Sequence, residues 1–175
     1  MRMIQVVPHS PGWAAVVRAE ADRLTAVPGD EVIAIHHIGS TAIPGISAKP
    51  IIDILLAVRE VERLDELRPE MTALDYEGRG EFGLPGRRYF ARTTDRRRMH
   101  QIHAYKTDNP GLEPHLAFRD YLIYHPENAQ AYGRLKEDLA EEFPKDIEGC
   151  MAGKDAFIKE TEKKAVAWSR WRRCM

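Results

Sequence analysis

Residues 36–56 read "HHIGSTAIPGISAKPIIDILL". An apolar run stops at Gly39-Ser40-Thr41, turns through two prolines and two glycines, and resumes as a second apolar run that contains one acid, Asp53. Side chains alternate along a strand, so Ile51, Asp53 and Leu55 share one face while Ile52, Ile54 and Leu56 share the other. An unpaired carboxylate among five aliphatic residues is expensive. Asp53 therefore meets a metal, a ligand or a basic side chain, with Lys49, Arg88 and Arg92 as the candidate ion-pair partners. The turn before it has two readings. Gly39 lets the backbone approach a ligand, the turn amides and the hydroxyls of Ser40 and Thr41 suit a phosphate, and Lys49 adds charge. Alternatively, the hydroxyls satisfy their own backbone in a tight turn.

Outward from this stretch, the chain reads as a sequence of regular elements. Ser10 and Pro11 suit the start of a helix whose Trp13, Val16, Val17, Leu24 and Val27 form one apolar stripe. Residues 31–38 ("EVIAIHHI") alternate as a strand, and the nearly continuous apolar run 50–58 predicts a strand covered on both faces. An amphipathic helix follows, ended or bent by Pro69. Residues 76–92 ("YEGRGEFGLPGRRYFAR") predict a glycine-marked loop or hairpin leading into a strand near 87–92, and 99–106 a further strand. From Glu113 onward strand signals vanish and three helices are expected. This order predicts an α+β domain with a mixed sheet. A single domain spans 1–175, with a sheet-containing core over about 1–111 and a helical cap over about 112–175.

The bulk composition excludes several classes. At 175 residues and a net charge of −1, the chain offers no global field for nucleic acid or an anionic membrane. The basic runs 87–98 and 170–173 read as solvated faces. Two cysteines, Cys150 and Cys174, form no metal-ligand cluster and fit a reducing compartment. No signal peptide or run of ~18 apolar residues is present. A cytoplasmic protein, bound to neither membrane nor nucleic acid, is the expectation.

The combination in the opening stretch is more specific than its parts. Gly39-Ser40, twelve residues, and then an Asp in an apolar strand is the spacing of the nucleotidyltransferase superfamily signature. With "YEGRGEFGLPGRRYF", "HQIHAY", "LAFRDYLIYHP", "AYGRLKEDLA" and "GKDAFI" following in that order, the chain resembles the GrpB family from about Trp13 to Ala165. That family is nucleotidyltransferase-like in fold, and similar domains occur fused to dephospho-CoA kinase. The resemblance implies a nucleotide or other phosphorylated small molecule as partner, with Gly39, Ser40 and Thr41 at its phosphates. Lys49, Arg88, Arg92, Lys136 and Lys154 would neutralise charge. Asp53 would be the catalytic carboxylate and, with His103, the ligand of a divalent metal, Mg²⁺, Mn²⁺ or Zn²⁺. Without the family, Lys136 and Lys154 read as surface charges on helices, and His103 as a hydrogen-bond partner of Asp53. Glu77 and Glu81 are further candidate acids. One position departs from the superfamily: the second metal carboxylate would fall at 55, which is Leu55. Nucleotidyl transfer to a small acceptor is the implied reaction; a non-catalytic accessory domain that lost the second acid is the alternative.

Overall fold

The computed structural model describes residues 4–27 and 29–175. The chain divides into two compact units. The sheet unit comprises Pro11–Gly39 and Ile51–Leu112; the helical unit comprises the chain up to Ser10, Ser40–Pro50 and Glu113–Met175.

In the sheet unit, α1 spans Gly12–Ala26. The expected Ser10 cap does not form: Pro11 is itself the N-cap residue, and no side chain caps the helix. The helix is held instead by its apolar stripe, with Trp13, Val17 and Leu24 packed into the core. Strands β1 (Val32–Ile38), β2 (Ile52–Val58), β3 (Tyr76–Gly78), β4 (Arg87–Thr94) and β5 (Arg97–Lys106) form one mixed sheet in the order β1-β2-β5-β4-β3. Only β2 and β5 are parallel among these pairs. A parallel pair needs a long crossover, and the segment between them supplies α2 (Val61–Glu66), α3 (Arg68–Ala73), β3 and β4. The break between α2 and α3 at Leu67 is the one expected from Pro69. Of the two readings of residues 76–92, loop or hairpin, the hairpin holds: β3 pairs antiparallel with β4. The β4–β5 hairpin turns through Asp95 and Arg96, both at positive φ, as a two-residue turn between twisted strands requires.

Register sorts the side chains onto two faces. Ile52, Ile54, Leu56 and Val58 of β2 share a face with Ile102 and Ala104 of β5, Phe90 of β4 and Tyr76 of β3. With Val61, Leu64, Met71 and the α1 stripe they make the principal core. Asp53 and Leu55 lie on the opposite face, with Gln101, His103 and Tyr105 of β5 and Arg87, Tyr89 and Ala91 of β4.

In the helical unit, α4 (Leu112–Tyr124), α5 (Pro126–Glu142) and α6 (Ile147–Cys174) pack around the segment 40–50. Ile43 and Ile46 are buried with Leu122, Ala129 and Tyr132, and Phe118, Tyr121, Phe157 and Ile158 close the cluster. Gly133 admits Ile46: a Cβ there would stand 3.3 Å from that of Ile46. Asp146 caps α6 by accepting from the Gly149 amide at 3.0 Å. Trp168 packs against Tyr121 and Tyr124, but Trp171 is 60% exposed and does not share that stripe. The basic run 170–173 is used internally. Arg170 and Arg173 pair with Glu113, and Arg172 lies over the Tyr124 ring. Arg119 and Asp120 pair with each other at 2.7 Å. Cys150 is buried and Cys174 exposed, both as free thiols. Among the described residues no helix is long and apolar enough to cross a membrane.

Candidate functional site

In the sheet unit the site is built on the end of β1 and on the adjacent strands β2 and β5. Ile38, the last residue of β1, is paired with Asp53. The next residue, Gly39, takes φ of +71°, and a Cβ there would stand 2.6 Å from the Asp53 Oδ2. The glycine is thus required twice, for the left-handed backbone and for the close approach of the carboxylate. Asp53 is only partly buried. Its Oδ1 lies 3.6 Å from the His103 Nε2.

His103 is directly paired with Leu55 across β2 and β5, so an imidazole stands beside the position where the second acid is missing. Leu55 itself is fully buried. On its other side His103 meets Arg87, whose Nη1 lies 3.2 Å from Nδ1. A guanidinium only donates. Nδ1 therefore accepts, and in the neutral ring the proton sits on Nε2, the nitrogen nearest Asp53. Tyr89 packs edge-on to the same ring at 5.4 Å. Arg87 is buried and also donates to the carbonyl oxygens of Glu81, at 3.1 Å, and Phe82, at 2.6 Å.

Asp53 and His103 are the predicted metal donors, and they are brought together. They are two, and no group of three or more His, Cys, Asp or Glu suited to a metal occurs among the described residues. The donor set also carries a proton at Nε2. It does not fit a metal held by the protein alone. One carboxylate, Asp53, fits a Mg²⁺ or Mn²⁺ whose other oxygen ligands come from outside this donor set.

In the helical unit, Ser40, Thr41 and Ala42 form a single 3₁₀ turn, closed by the Ile43 amide donating to the Ser40 carbonyl at 3.2 Å, with Thr41 buried. Lys136 of α5 is buried, donates to the Ser47 carbonyl and lies 4.5 Å from the centroid of the Tyr132 ring. Burial, reinforced by the charge of Lys154, pushes the Lys136 ammonium down to about 7. Burial and then the charge of Lys49 push Lys154 down as well. None of the three lysines forms an ion pair with a carboxylate among the described residues. Lys154 thus repels Lys136, where Glu137 offsets it only in part, and Lys49 repels Lys154; an anion would relieve both desolvated lysines.

The other predicted cations go elsewhere. Arg88 and Arg92 do share a face with Phe90, but it is the face opposite Asp53. Arg88 binds Asp65, at 2.9 and 2.8 Å. Arg92 donates to Glu20 at 2.8 Å. Glu20, on α1, is buried and also accepts from Tyr76 Oη at 3.0 Å and from Arg23 at 3.1 Å. Burial pushes the Glu20 carboxyl up, but these three partners outweigh it and hold it below its ordinary range. Glu77 pairs with Arg79, and Glu81 accepts from the Gly86 amide. The residue that sequence reasoning passed over is Arg87. Its signal was the strand alternation itself: residues 87 and 103 fall on one face only once the cross-strand register is known.

Residues 3–164 match the family model described as GrpB protein. The chain is 43% identical to the UPF0157 protein YqkA of Bacillus subtilis over 98% of its own length, and spans about half the length of that relative. A crystal structure of the conserved protein GrpB from Enterococcus faecalis superposes with a TM-score of 0.91 at 42% identity, covering 95% of this chain and 99% of that one. Similarity extends, at 26% identity over 95% of this chain and 47% of the relative, to a dephospho-CoA kinase of Mycolicibacterium paratuberculosis.

Proposed function

The chain belongs to the GrpB family, and from the geometry above we propose that it binds a phosphorylated ligand of nucleotide class and acts on it in the manner of a nucleotidyltransferase. The observation that carries this reading is the lysine cluster of the helical unit. The charge of Lys154 bears on Lys136 and that of Lys49 on Lys154; none of the three forms an ion pair among the described residues, and burial with this repulsion depresses the ammonium groups of Lys136 and Lys154 even against the opposing charge of Glu137 on Lys136. A phosphate chain supplies the missing negative charge, and Gly39, Ser40 and Thr41 supply the turn that such ligands meet in this superfamily. The likeness to a dephospho-CoA kinase is in keeping with a nucleotide-type ligand.

In the sheet unit, Asp53 is the catalytic carboxylate. A divalent metal would supply Lewis acidity there, with Asp53 as its protein ligand. His103 keeps its proton on Nε2, toward the carboxylate, and holds Asp53 in place. Arg87 keeps His103 in that tautomer. Gly39 leaves the room Asp53 needs.

Thermal denaturation with ATP, GTP, CTP and UTP, each with Mg²⁺, Mn²⁺ or Zn²⁺, tests the proposal. At a hundredfold excess over Kd, binding adds about 2.7 kcal/mol, a rise in Tm of about 5–10 °C for a chain of this size. Asp53→Asn is expected to remove the metal-dependent part of that rise. No rise with any nucleotide–metal pair would sink the reading.

One observation favours a second reading. Leu55 is fully buried where the superfamily places its second acid. A domain that retains the ligand and has lost the chemistry would show nucleotide-dependent stabilisation with no turnover across a panel of acceptors.

A further inference from the structure

The loop between β3 and β4 carries a feature that the phosphate reading does not use. Residues 79–86 leave and rejoin the sheet through Tyr89: the Arg79 amide donates to the Tyr89 carbonyl, and the Tyr89 amide to that of Gly80, each at 2.8 Å. Gly80, Gly83 and Gly86 all take positive φ. Phe82 does so too, at +46°, a conformation that disfavours a bulky side chain. Held there, Phe82 is 53% exposed. One face of its ring stacks on Tyr89, with centroids 4.7 Å apart and planes 14° from parallel. The Arg79 and Arg87 guanidinium carbons lie 5.7 and 6.0 Å from its centroid. The Nε of Arg79 is buried and has no hydrogen-bond partner among the described residues.

An exposed aromatic ring in a strained backbone, backed by a second ring and bordered by an unsatisfied donor, is a costly arrangement for packing alone. It suits a flat π-system, which stacks on an aromatic face regardless of its substituents. The platform is also continuous with the site. Phe82 stacks on Tyr89, Tyr89 packs edge-on to His103, and His103 faces Asp53. Arg87 ties the two ends together, donating to the Phe82 carbonyl and to His103. We propose that Phe82 is the stacking platform for the nucleobase of the ligand handled at Asp53, with Arg79 beside it as a hydrogen-bond donor to the base edge. This rests on the nucleotide reading above and deepens it: the ligand carries a planar aromatic ring, so sugar phosphates and inorganic polyphosphates are not its substrates.

The test is calorimetric titration of the four nucleoside triphosphates, inorganic tripolyphosphate and adenosine into the native protein, Phe82→Ala and Phe82→Trp. The native protein is expected to bind at least one nucleotide more tightly than tripolyphosphate. Phe82→Ala should weaken that nucleotide by about tenfold or more while leaving tripolyphosphate within about twofold. Phe82→Trp should keep the affinity, and its indole fluorescence should be quenched by the nucleotide and by adenosine. Equal affinity for nucleotide and tripolyphosphate, with Phe82→Ala silent, overturns the platform and leaves the phosphate reading standing. Equal weakening of both ligands in Phe82→Ala marks Phe82 as loop structure and also overturns it. Quenching by adenosine with no binding of any phosphate would keep the platform and remove the phosphate reading. No binding of any probe removes both.

Discussion

The two units of this chain treat buried charge in opposite ways. In the sheet unit, Glu20 is enclosed but answered by Tyr76, Arg92 and Arg23. In the helical unit, Lys136 is enclosed to a similar degree, donates to a backbone carbonyl over the Tyr132 ring, and feels the charge of Lys154 more than that of Glu137. A paired buried charge is complete in itself and holds the fold. An unpaired buried cation beside a second cation stabilises nothing until an anion arrives. The difference separates a structural ion cluster from a candidate anion site, and residue type alone does not: Arg92 at the first and Lys136 at the second carry the same charge.

The largest effect should come from opening the answered cluster. Glu20→Ala leaves two guanidinium groups and a phenol without their acceptor, and removal of one member of a buried pair costs about 3–5 kcal/mol. A fall in Tm of about 10 °C is expected, with nucleotide binding unchanged in the protein that remains folded. Calorimetric denaturation measures it; a fall of only a degree or two would mean that the cluster is not what holds α1 to the sheet.

Lys136→Met should do the reverse. It removes a desolvated charge at the expense of one hydrogen bond, so stability at pH 7 is expected to rise by about 1 kcal/mol, while the nucleotide-induced rise in Tm shrinks. The pH dependence carries a sign. The native Lys136 is lowered to about 7 from an ordinary 10.5, so its penalty is full below pH 7 and fades as pH rises toward 10.5, where the unfolded lysine also loses its proton. Native stability should therefore climb across that window relative to Lys136→Met. Parallel curves for the two proteins would show that Lys136 is better solvated than its surroundings imply.

The smallest effect is expected at the exposed end of the comparison. Arg88 and Asp65 form a good ion pair, but the carboxylate is open to solvent, and exposed pairs contribute about 0.2–1 kcal/mol. Arg88→Met should move the urea midpoint only slightly and leave nucleotide affinity intact. Loss of binding in this variant would restore Arg88 to the site from which its position excludes it.

What could be read in advance follows the range of the interactions. Alternation places Asp53 and Leu55 on one face, because it needs only neighbours two residues away. Pro69 and the apolar stripes marked their helices for the same reason. The sequence offers Arg88 and Arg92 as site cations, whereas in the fold it is Arg87 that meets His103. That choice depends on the pairing of β4 with β5, which no single strand reveals. The Glu20 cluster was invisible because it joins residues 72 apart. The hairpin over 76–92 stays an alternative to a loop in the sequence because the three residues of β3 are a strand only by virtue of their partner.

The segment that contains Ser40 and Thr41 has a further consequence, for the order in which the protein is made. It is synthesised early, yet its partners lie far downstream: Lys136 is 89 residues beyond Ser47, and Gln130 is 85 beyond Gly45. Contacts of such separation close late. A nascent chain halted after Lys106 would hold every strand of the sheet and the whole Gly39–Asp53 contact, but Ile43 and Ile46 would still await α4, α5 and α6. On the ribosome, then, the Gly39–Asp53 contact can form well before Lys136 is enclosed.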